Sequence, residues 1–295
     1  MKPRIAVLGL GHGIKHATDL VNSDQGELVA IADADEAKRT TSEKLGARFY
    51  TDYKRLLDSE DLDGAIVALP NNLHVEVGIE LARRGLHILM EKPLANTSKE
   101  AEQVVTAVKS NNVIMLVGHH RRFSSKVQAV REMVQNGELG KILGVSVLWT
   151  ARKHDAYYSQ AKAWHARADM GGGPLLINTI HDIDDIRFIC GEVTQVFAFT
   201  GHIGRGLPCE DTAAVGLKLE NGALVTVFVT DASPALWFYE ATAQENPLFW
   251  PNTEDCYFFC GTKASIAFPS LRKVYYLTEP RTRVGTLRRS TGLPS

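Results

Sequence analysis

The chain has 295 residues, and at about 150 residues per domain this length predicts two domains. Its composition, 44% hydrophobic and 23% charged, is that of an ordinary globular protein and argues against a disordered, collagen-like or coiled-coil chain. Lys and Arg total 33 against 34 Asp and Glu, so the net charge of -1 gives no electrostatic basis for binding nucleic acid or an anionic membrane.

Cysteine usage and hydropathy bear on where the protein resides. Four cysteines are too few and too scattered for a disulfide framework. The apolar run that begins at Ile5 is interrupted by Gly9, and no stretch of the sequence reaches the ~20 residues of a membrane span. We therefore expect a soluble, cytoplasmic protein whose partners include neither a nucleic acid nor a membrane.

The first 120 residues alternate between short apolar runs and helical stretches. The runs lack polar alternation, as strands covered on both faces do, and they lie at 5–8, 28–32, 65–69, 88–90 and 113–117. Thr97 and Glu100 have the spacing of a capping box, which predicts that one of the intervening helices begins there. This alternation predicts βαβ units, and hence a parallel sheet with helices on both faces.

A glycine-rich turn follows the first predicted strand directly. Glycines let the backbone approach a pyrophosphate closely, while the N-terminus of the next helix points its amides at the same group. The usual spacing would place a third glycine at the position of Ile14, so Gly13 comes one residue early. We assign to the cofactor phosphates Gly9, Gly11, His12, Gly13 and Ile14.

Asp33 ends the second predicted strand, 22 residues after Gly11. Dinucleotide-binding folds place a carboxylate about 20 residues beyond the glycine turn, where it accepts hydrogen bonds from the adenosine ribose. Because this carboxylate would repel a 2′-phosphate, NAD is favoured as the cofactor. Lys38 and Arg39 could offset the repulsion, so NADP stays open. Residues 1–120 are thus predicted to form a Rossmann dinucleotide-binding domain.

The pattern changes after His120. The predicted elements are, in chain order, a helix over 125–135, a strand over 142–150, a helix between Pro174 and Gly191, and strands over 193–200, 213–219 and 223–230. Asn221-Gly222 should turn the last two strands into a hairpin. We predict an α+β domain over residues 121–280 with a mostly antiparallel open sheet.

The last residues, 281–295, contain Arg281, Arg283, Arg288 and Arg289 but show no apolar periodicity. This stretch is predicted to be a mobile basic tail.

Three short motifs stand at the carboxyl ends of later strands, where open α/β sheets bind ligands. They are Pro70-Asn71-Asn72-Leu73-His74, Glu91-Lys92-Pro93 and Gly118-His119-His120-Arg121-Arg122-Phe123. Together with the segment from Gly171 to Asp184, they resemble the Gfo/Idh/MocA family of nicotinamide-dependent oxidoreductases over roughly residues 4–270. The resemblance implies a Rossmann domain followed by a substrate-binding domain whose open sheet forms homodimers or homotetramers. It also implies a second domain that usually continues further than the one seen here.

The resemblance and elementary chemistry together assign a set of site residues. Lys92, in a Lys-Pro bond that the family often has in cis, is expected to donate a proton or hydrogen bond to a substrate oxygen. His181 is expected to take the hydroxyl proton. Further cofactor contacts are expected from Leu69, Pro70, Asn71, His74, Glu91 and Lys92. The substrate is expected to contact Arg122, Trp164, His165, Asn178 and Asp185.

The chain departs from the family's pattern at one position. The family often has Asp four residues before the histidine, where this chain has Ile177, and the adjacent Asn178 would project about 100° away on a helix. His181 and Asp185, at helical spacing, could ligate zinc with His119, His154 or His165. We favour hydrogen-bonding roles for these residues and predict no metal.

The implied activity is hydride transfer between NAD or NADP and a secondary alcohol of a sugar, cyclitol or related diol. Two alternatives are kept: a lyase or hydrolase that uses NAD to oxidise a sugar transiently, and a non-catalytic, cofactor-sensing regulator. The presence of both Lys92 and His181 favours an enzyme, because a sensor needs neither.

Overall fold

A computed structural model describes residues 1–245, 252–276 and 287–290 of the chain. Contacts between Cα atoms divide the chain into two compact units, Met1–His119 and His120–Ser295. Within the described ranges, every helix is too short or too polar to cross a lipid bilayer.

The first unit is a six-stranded parallel sheet with helices between its strands. Its strands are β1 (Arg4–Leu8), β2 (Glu27–Ala32), β3 (Arg48–Tyr50), β4 (Gly64–Val67), β5 (His87–Met90) and β6 (Met115–Val117), in the order β3-β2-β1-β4-β5-β6. Its α-helices are α1 (Gly13–Val21), α2 (Arg39–Lys44), α3 (Tyr53–Ser59), α4 (His74–Arg83) and α5 (Ser98–Ser110). The predicted Rossmann-type sheet is confirmed.

Both faces of this sheet are covered, which explains why its strands read as continuous apolar runs. Ala6 and Leu8 of β1 belong to one buried cluster, whereas Val7 packs with Ile31 and Ala17 in another. Because successive side chains of a strand point to opposite faces, the two clusters lie on opposite sides of the sheet.

The short elements β3 and α3 were not predicted. β3 has only three residues, none of them buried, so it leaves no apolar run in the sequence. The capping box before α5 is confirmed: Thr97 Oγ1 accepts from the Glu100 amide, and the Thr97 amide donates to Glu100 Oε2.

The second unit is built on a mixed, mostly antiparallel sheet. Its described elements are α6 (Ser125–Gln135), β7 (Ile142–Arg152), α7 (Ile180–Cys190), β8 (Val193–Gly201), β9 (Thr212–Leu219), β10 (Leu224–Thr230), β11 (Ala232–Trp237), α8 (Tyr239–Thr242), β12 (Tyr257–Gly261), β13 (Ala264–Phe268), β14 (Arg272–Tyr276) and β15 (Leu287–Ser290). The strand order is β15-β14-β13-β12-β7-β10-β9-β8, with β11 also paired to β7. Only the described pair β7–β10 is parallel, so the predicted architecture is confirmed.

One face of the second sheet carries the core. Val145 and Val147 of β7 pack in one cluster with Val127 of α6 and Ile186 of α7. Buried and exposed residues alternate along β9 and β10, as in a sheet covered on one face. The opposite face therefore leaves apolar side chains exposed.

The predicted basic tail falls partly on described residues. Within 281–295 the structure describes only 287–290, and these residues form β15, whose backbone pairs in antiparallel register with β14. The edge of β14 provides these four residues with hydrogen-bonding partners that a search for apolar periodicity does not detect, and the mobility of the tail stays a prediction. Arg281 and Arg283 lie outside the described residues.

Candidate active site

The glycine turn after β1 has the geometry that a dinucleotide requires. Gly9 adopts φ +92°, and a Cβ there would lie 2.5 Å from the carbonyl oxygen of Ala68, so only glycine fits. A Cβ added at Gly11 would meet no atom within 4 Å, which leaves open space over that residue. A ligand can therefore approach the backbone closely at Gly11.

Gly13 has the packing role of the third glycine in the usual fingerprint, which is to let the helix lie close to the sheet. An added Cβ would lie 3.0 Å from Val7 Cγ1 and 3.2 Å from Ala68 Cβ, so the glycine lets α1 pack closely on β1 and β4. The turn is thus one residue shorter than the usual fingerprint. Ile14 packs its side chain against the buried cluster around Val7, so only its backbone remains for a phosphate.

The N-terminus of α1 completes the phosphate cradle. His12 is the N-cap residue, and its side chain makes no capping hydrogen bond. First-turn amides have no partner within a helix, and together with the helix dipole they favour an anion. The residues of this turn fit the pyrophosphate of a dinucleotide.

Asp33 lies beside this turn. Its Oδ2 accepts from the Leu10 amide at 2.7 Å, and its Oδ1 accepts from the Asp35 amide at 2.9 Å. These bonds fix the carboxylate at the end of β2, next to the end of β1, where it can accept from a ribose hydroxyl. Arg39 is ion-paired with Glu36 and lies over the Phe49 ring, so this cation is already engaged.

Leu69, Pro70 and Asn71 follow β4, which pairs with β1. They therefore share the sheet edge that carries the glycine turn, and their contact with a cofactor stays a prediction.

Glu91 follows β5 on the same edge. His16 Nε2 lies 2.7 Å from Glu91 Oε1, and the Lys92 amide donates to Glu91 Oε2 at 3.2 Å. Burial alone would raise the pKa of Glu91, but the hydrogen bond and charge of His16, with the charge of Lys92, outweigh burial and lower it. Glu91 is therefore a fixed carboxylate directly before the half-buried Lys92.

His16 was missed from the sequence. Its only available signal was its position three residues after Gly13, in the first turn of α1.

The structure reassigns His74. The ring is fully buried, with Nδ1 2.7 Å from the carbonyl oxygen of Pro93 and Nε2 2.9 Å from that of Leu69. Neither nitrogen is left for a ligand, so the predicted cofactor contact of the His74 side chain is corrected to a positioning role. The ring ties the turn after β4 to Pro93, whose peptide bond with Lys92 is cis, as the resemblance implied.

In the second unit, His181 lies at the start of α7 and is 6% exposed. Its ring meets that of His120 edge to face, with centroids 4.9 Å apart. A π-helical turn, Leu175–Thr179, precedes α7 and carries Asn178. Such turns are rare and occur frequently at functional sites.

Asn178 contacts a residue that the sequence analysis did not predict. Asn178 Oδ1 accepts from Lys153 Nζ at 2.5 Å, and Lys153 directly follows β7. Lys153 Nζ also lies over the Tyr157 ring, 4.2 Å from its centroid. The sequence analysis could not predict Lys153, because it lies in a loop whose residues match no motif at a characteristic spacing.

Trp164 and His165 join this group. The His165 ring stacks on Tyr157 with centroids 4.0 Å apart and planes 9° apart, and Trp164 tilts against His165 at 4.0 Å. His165 Nδ1 lies 2.7 Å from the Tyr157 carbonyl oxygen, which secures the stack. The structure thus brings together the predicted residues Trp164, His165 and Asn178.

Asp185 does not belong to this group. It is fully buried with Arg121 and Asp182, 3.3 Å from Arg121 Nη1 and 3.2 Å from the Tyr257 hydroxyl. Burial, opposed by the charge of Arg121, raises its pKa to about 7. The predicted substrate contact is corrected, because helical spacing did not reveal that this side chain points into the core.

Arg122 is held by Asp184 through two hydrogen bonds of 2.7 and 2.6 Å. It stays a predicted substrate contact, although its guanidinium is already engaged. In the part of the chain that the structure describes, no three His, Cys, Asp or Glu side chains converge as metal ligands.

Two family models match the chain. Residues 3–119 match an oxidoreductase family with an NAD-binding Rossmann fold, and residues 127–267 match the GFO/IDH/MocA C-terminal domain.

Known proteins show the same likeness. The chain is 34% identical over 232 residues to myo-inositol 2-dehydrogenase from Thermotoga maritima, covering 75% of this chain and 66% of that protein. It is 28% identical over 211 residues to 2,7-anhydro-N-acetylneuraminate hydratase from Mediterraneibacter gnavus, covering 70% of this chain and 55% of that protein. The chain thus spans less than two thirds of either relative.

Among solved structures, the chain is similar to the WlbA dehydrogenase from Bordetella pertussis in complex with NADH and UDP-GlcNAcA. The TM-score is 0.79 at 26% identity, covering 90% of this chain and 78% of that one.

Proposed function

Because the chain belongs to the Gfo/Idh/MocA family of oxidoreductases, we propose that it reversibly oxidises a secondary alcohol of a sugar, cyclitol or related diol to a ketone, with NAD as hydride acceptor. The bound nicotinamide supplies the site that accepts or returns the hydride. The name of the myo-inositol 2-dehydrogenase relative supports a polyhydroxylated substrate.

Lys92 and His181 are proposed as the acid/base pair. In the oxidative direction a hydride leaves the carbinol carbon and the hydroxyl proton passes to the His181 imidazole, while Lys92 donates a hydrogen bond to the same oxygen. In reduction the imidazole returns the proton. Glu91 and His74 support this role, because they hold the backbone on either side of Lys92.

The observation that carries the proposal is the edge of the first sheet. There a glycine turn that fits a pyrophosphate, the Asp33 carboxylate and the Glu91–Lys92 segment follow β1, β2 and β5. Asp33 favours NAD over NADP, since it would face the 2′-phosphate.

Absorbance at the nicotinamide band tests the proposal. Purified protein would be loaded with NAD and screened against a panel of sugars, cyclitols and diols. Lys92→Ala should lower turnover by about 10²–10⁴-fold, the usual contribution of a positioned acid or base, and should weaken NADH binding by a much smaller factor. Lys99→Ala removes an exposed lysine of α5 and serves as the matched control. Equal turnover in Lys92→Ala and wild type would refute the mechanism.

A second candidate function is a lyase or hydratase step with transient oxidation of a sugar, which the hydratase relative favours. In that case product would form without net change at the nicotinamide band. Cofactor binding without any product would instead favour a sensor.

We also propose that the protein forms a homodimer or homotetramer through the open face of its second sheet. Adjacent strands place Phe199, Ala214 and Phe228 in one row across this face, and both phenylalanines are exposed. Exposed apolar patches of this kind mark interaction sites. Light scattering of Phe199→Asp should report a smaller particle than wild type; an unchanged mass would contradict this interface.

A further inference from the structure

Lys153 and Asn178 form a polar pair, and Asn178 lies in the turn that precedes the helix of the proposed acid/base histidine. Asn178 precedes His181 by three residues, and residues at this spacing are neighbours on a helix surface. The ammonium that Asn178 holds is therefore tied to the π-helical turn that runs directly into α7, three residues before His181 in the sequence. The position four residues before His181 is the apolar Ile177, whereas the side chain of Asn178 accepts a hydrogen bond from Lys153.

Both the backbone and the side chain of Lys153 are tied down. Its amide donates to the Asp231 carbonyl oxygen at 3.0 Å, and its own carbonyl oxygen accepts from Arg205 Nη2 at 2.6 Å. The ammonium is held by the Asn178 amide oxygen and by the face of Tyr157. A lysine on a protein surface samples many rotamers, whereas this one is preorganised, as a binding group needs to be.

The chemistry of the pair suits a sugar oxygen. Asn178 is neutral, so it orients the ammonium without cancelling its charge. The ring stack of Tyr157, His165 and Trp164 adds aromatic surface, and a few placed polar groups among aromatic side chains are typical of small-molecule sites.

We propose that Lys153 is a further substrate-binding residue, which donates a hydrogen bond to a hydroxyl or carboxylate oxygen of the sugar or cyclitol. Asn178 is the positioning residue that sets its geometry. This inference rests on the proposed function, since it assigns part of the substrate site of that reaction.

The test measures ligand binding and turnover separately. NADH-loaded protein is titrated by calorimetry with D-glucuronate, D-glucose and myo-inositol, and NAD reduction is followed with the same compounds. Lys153→Ala should weaken binding about tenfold or more, as expected for a hydrogen bond to a charged group, and KM should rise by a larger factor than kcat falls. The glucuronate and glucose titrations separate a carboxylate from a hydroxyl partner.

Three further variants test whether a loss of binding is due to the Lys153–Asn178 pair. Asn178→Ala should also weaken binding, whereas Asn178→Gln keeps a neutral amide oxygen as the acceptor and should bind more tightly than Asn178→Ala. Lys141→Ala removes an exposed lysine before the other end of β7 and should match wild type. Denaturant unfolding of every variant reports whether the second unit is folded.

The outcomes separate this inference from the proposed function. Wild-type affinity in Lys153→Ala, equal losses in Lys141→Ala, or no saturable binding of the three compounds to wild type would overturn it. Asn178→Gln binding as weakly as Asn178→Ala would overturn the positioning role. Binding that depends on Lys153 without any change at the nicotinamide band would refute the dehydrogenase function and leave the inference standing.

Discussion

The strand ends of the first unit and helix α7 of the second both concentrate charged side chains, but the two regions bury them to different extents. Asp33 and Glu91 are half-buried and bonded to backbone amides or to His16. Arg121, Asp182 and Asp185 are at most 1% exposed and bonded to one another. Half-buried groups at a sheet edge can meet a ligand, whereas a buried cluster holds a core together. Charged residues within a motif therefore do not by themselves identify ligand contacts.

The largest test of this contrast is Arg121→Met. Removing the cation leaves Asp182, Asp185 and Glu240 without their shared partner, so the free energy of unfolding should fall by about 3–5 kcal/mol. The neighbouring Arg122→Met breaks an ion pair whose arginine side chain is 40% exposed. It should lower the free energy of unfolding much less than Arg121→Met does. Denaturant unfolding measures the free energy of unfolding of both variants. Equal losses would contradict the distinction between the buried cluster and the exposed ion pair.

Asp185 predicts a pH dependence. Its folded pKa is about 7 and that of an unfolded aspartate about 3.9, so between these values the folded state holds a proton that the unfolded state has released. Its contribution to stability is thus fully present below about pH 4 and lost as the pH rises through 7. Asp185→Asn should flatten the fall in unfolding free energy over this window by up to about 4 kcal/mol. A pH profile parallel to that of wild type would contradict this.

At the strand ends, His16→Leu should act on ligand affinity more than on stability. Losing its bond to Glu91 should raise the pKa of that carboxyl and weaken NADH binding by about threefold to tenfold. Asp19→Asn, on an exposed position of the same helix, is the control. Fluorescence titration measures the affinity of each variant for NADH. Unchanged affinity in His16→Leu would show that the bond from His16 to Glu91 does not contribute to cofactor binding.

Thr97→Ala gives a baseline for an exposed local interaction, the capping box of α5. Loss of the capping box before α5 should lower the unfolding free energy by about 1 kcal/mol, and Thr97→Ser should restore most of it. Thermal unfolding measures this difference. If Thr97→Ala lowered the unfolding free energy as much as Arg121→Met, the cost of a substitution would not depend on how deeply the side chain is buried.

Much of the fold was predictable because local rules apply to it. Helix α6 begins and ends at the predicted residues, and Asn221-Gly222 turns β9 into β10 with Gly222 at φ +88°. Elements with weak local signals were missed: β3 has three residues, and β15 depends on the edge of β14. Pairing with a distant edge leaves no periodicity in the pairing strand itself.

The candidate site divides in the same way. Gly9, Gly13 and Asp33 were found because backbone geometry demands their residue types at set spacings. Lys153 and His16 were missed, since each acquires its role from a partner distant in sequence.

For this nearly neutral chain of 295 residues, local patterns predict two domains, a parallel dinucleotide-binding sheet and a mostly antiparallel second sheet. Periodicity, turn chemistry and strand-end motifs are local properties, so they can be read along the chain. Three features became visible only in the folded chain: the burial of His74 and Asp185, the packing of Gly13 in place of a third glycine, and the bond from Lys153 to Asn178. Burial and side-chain pairing depend on residues far apart in sequence, and no local pattern specifies them.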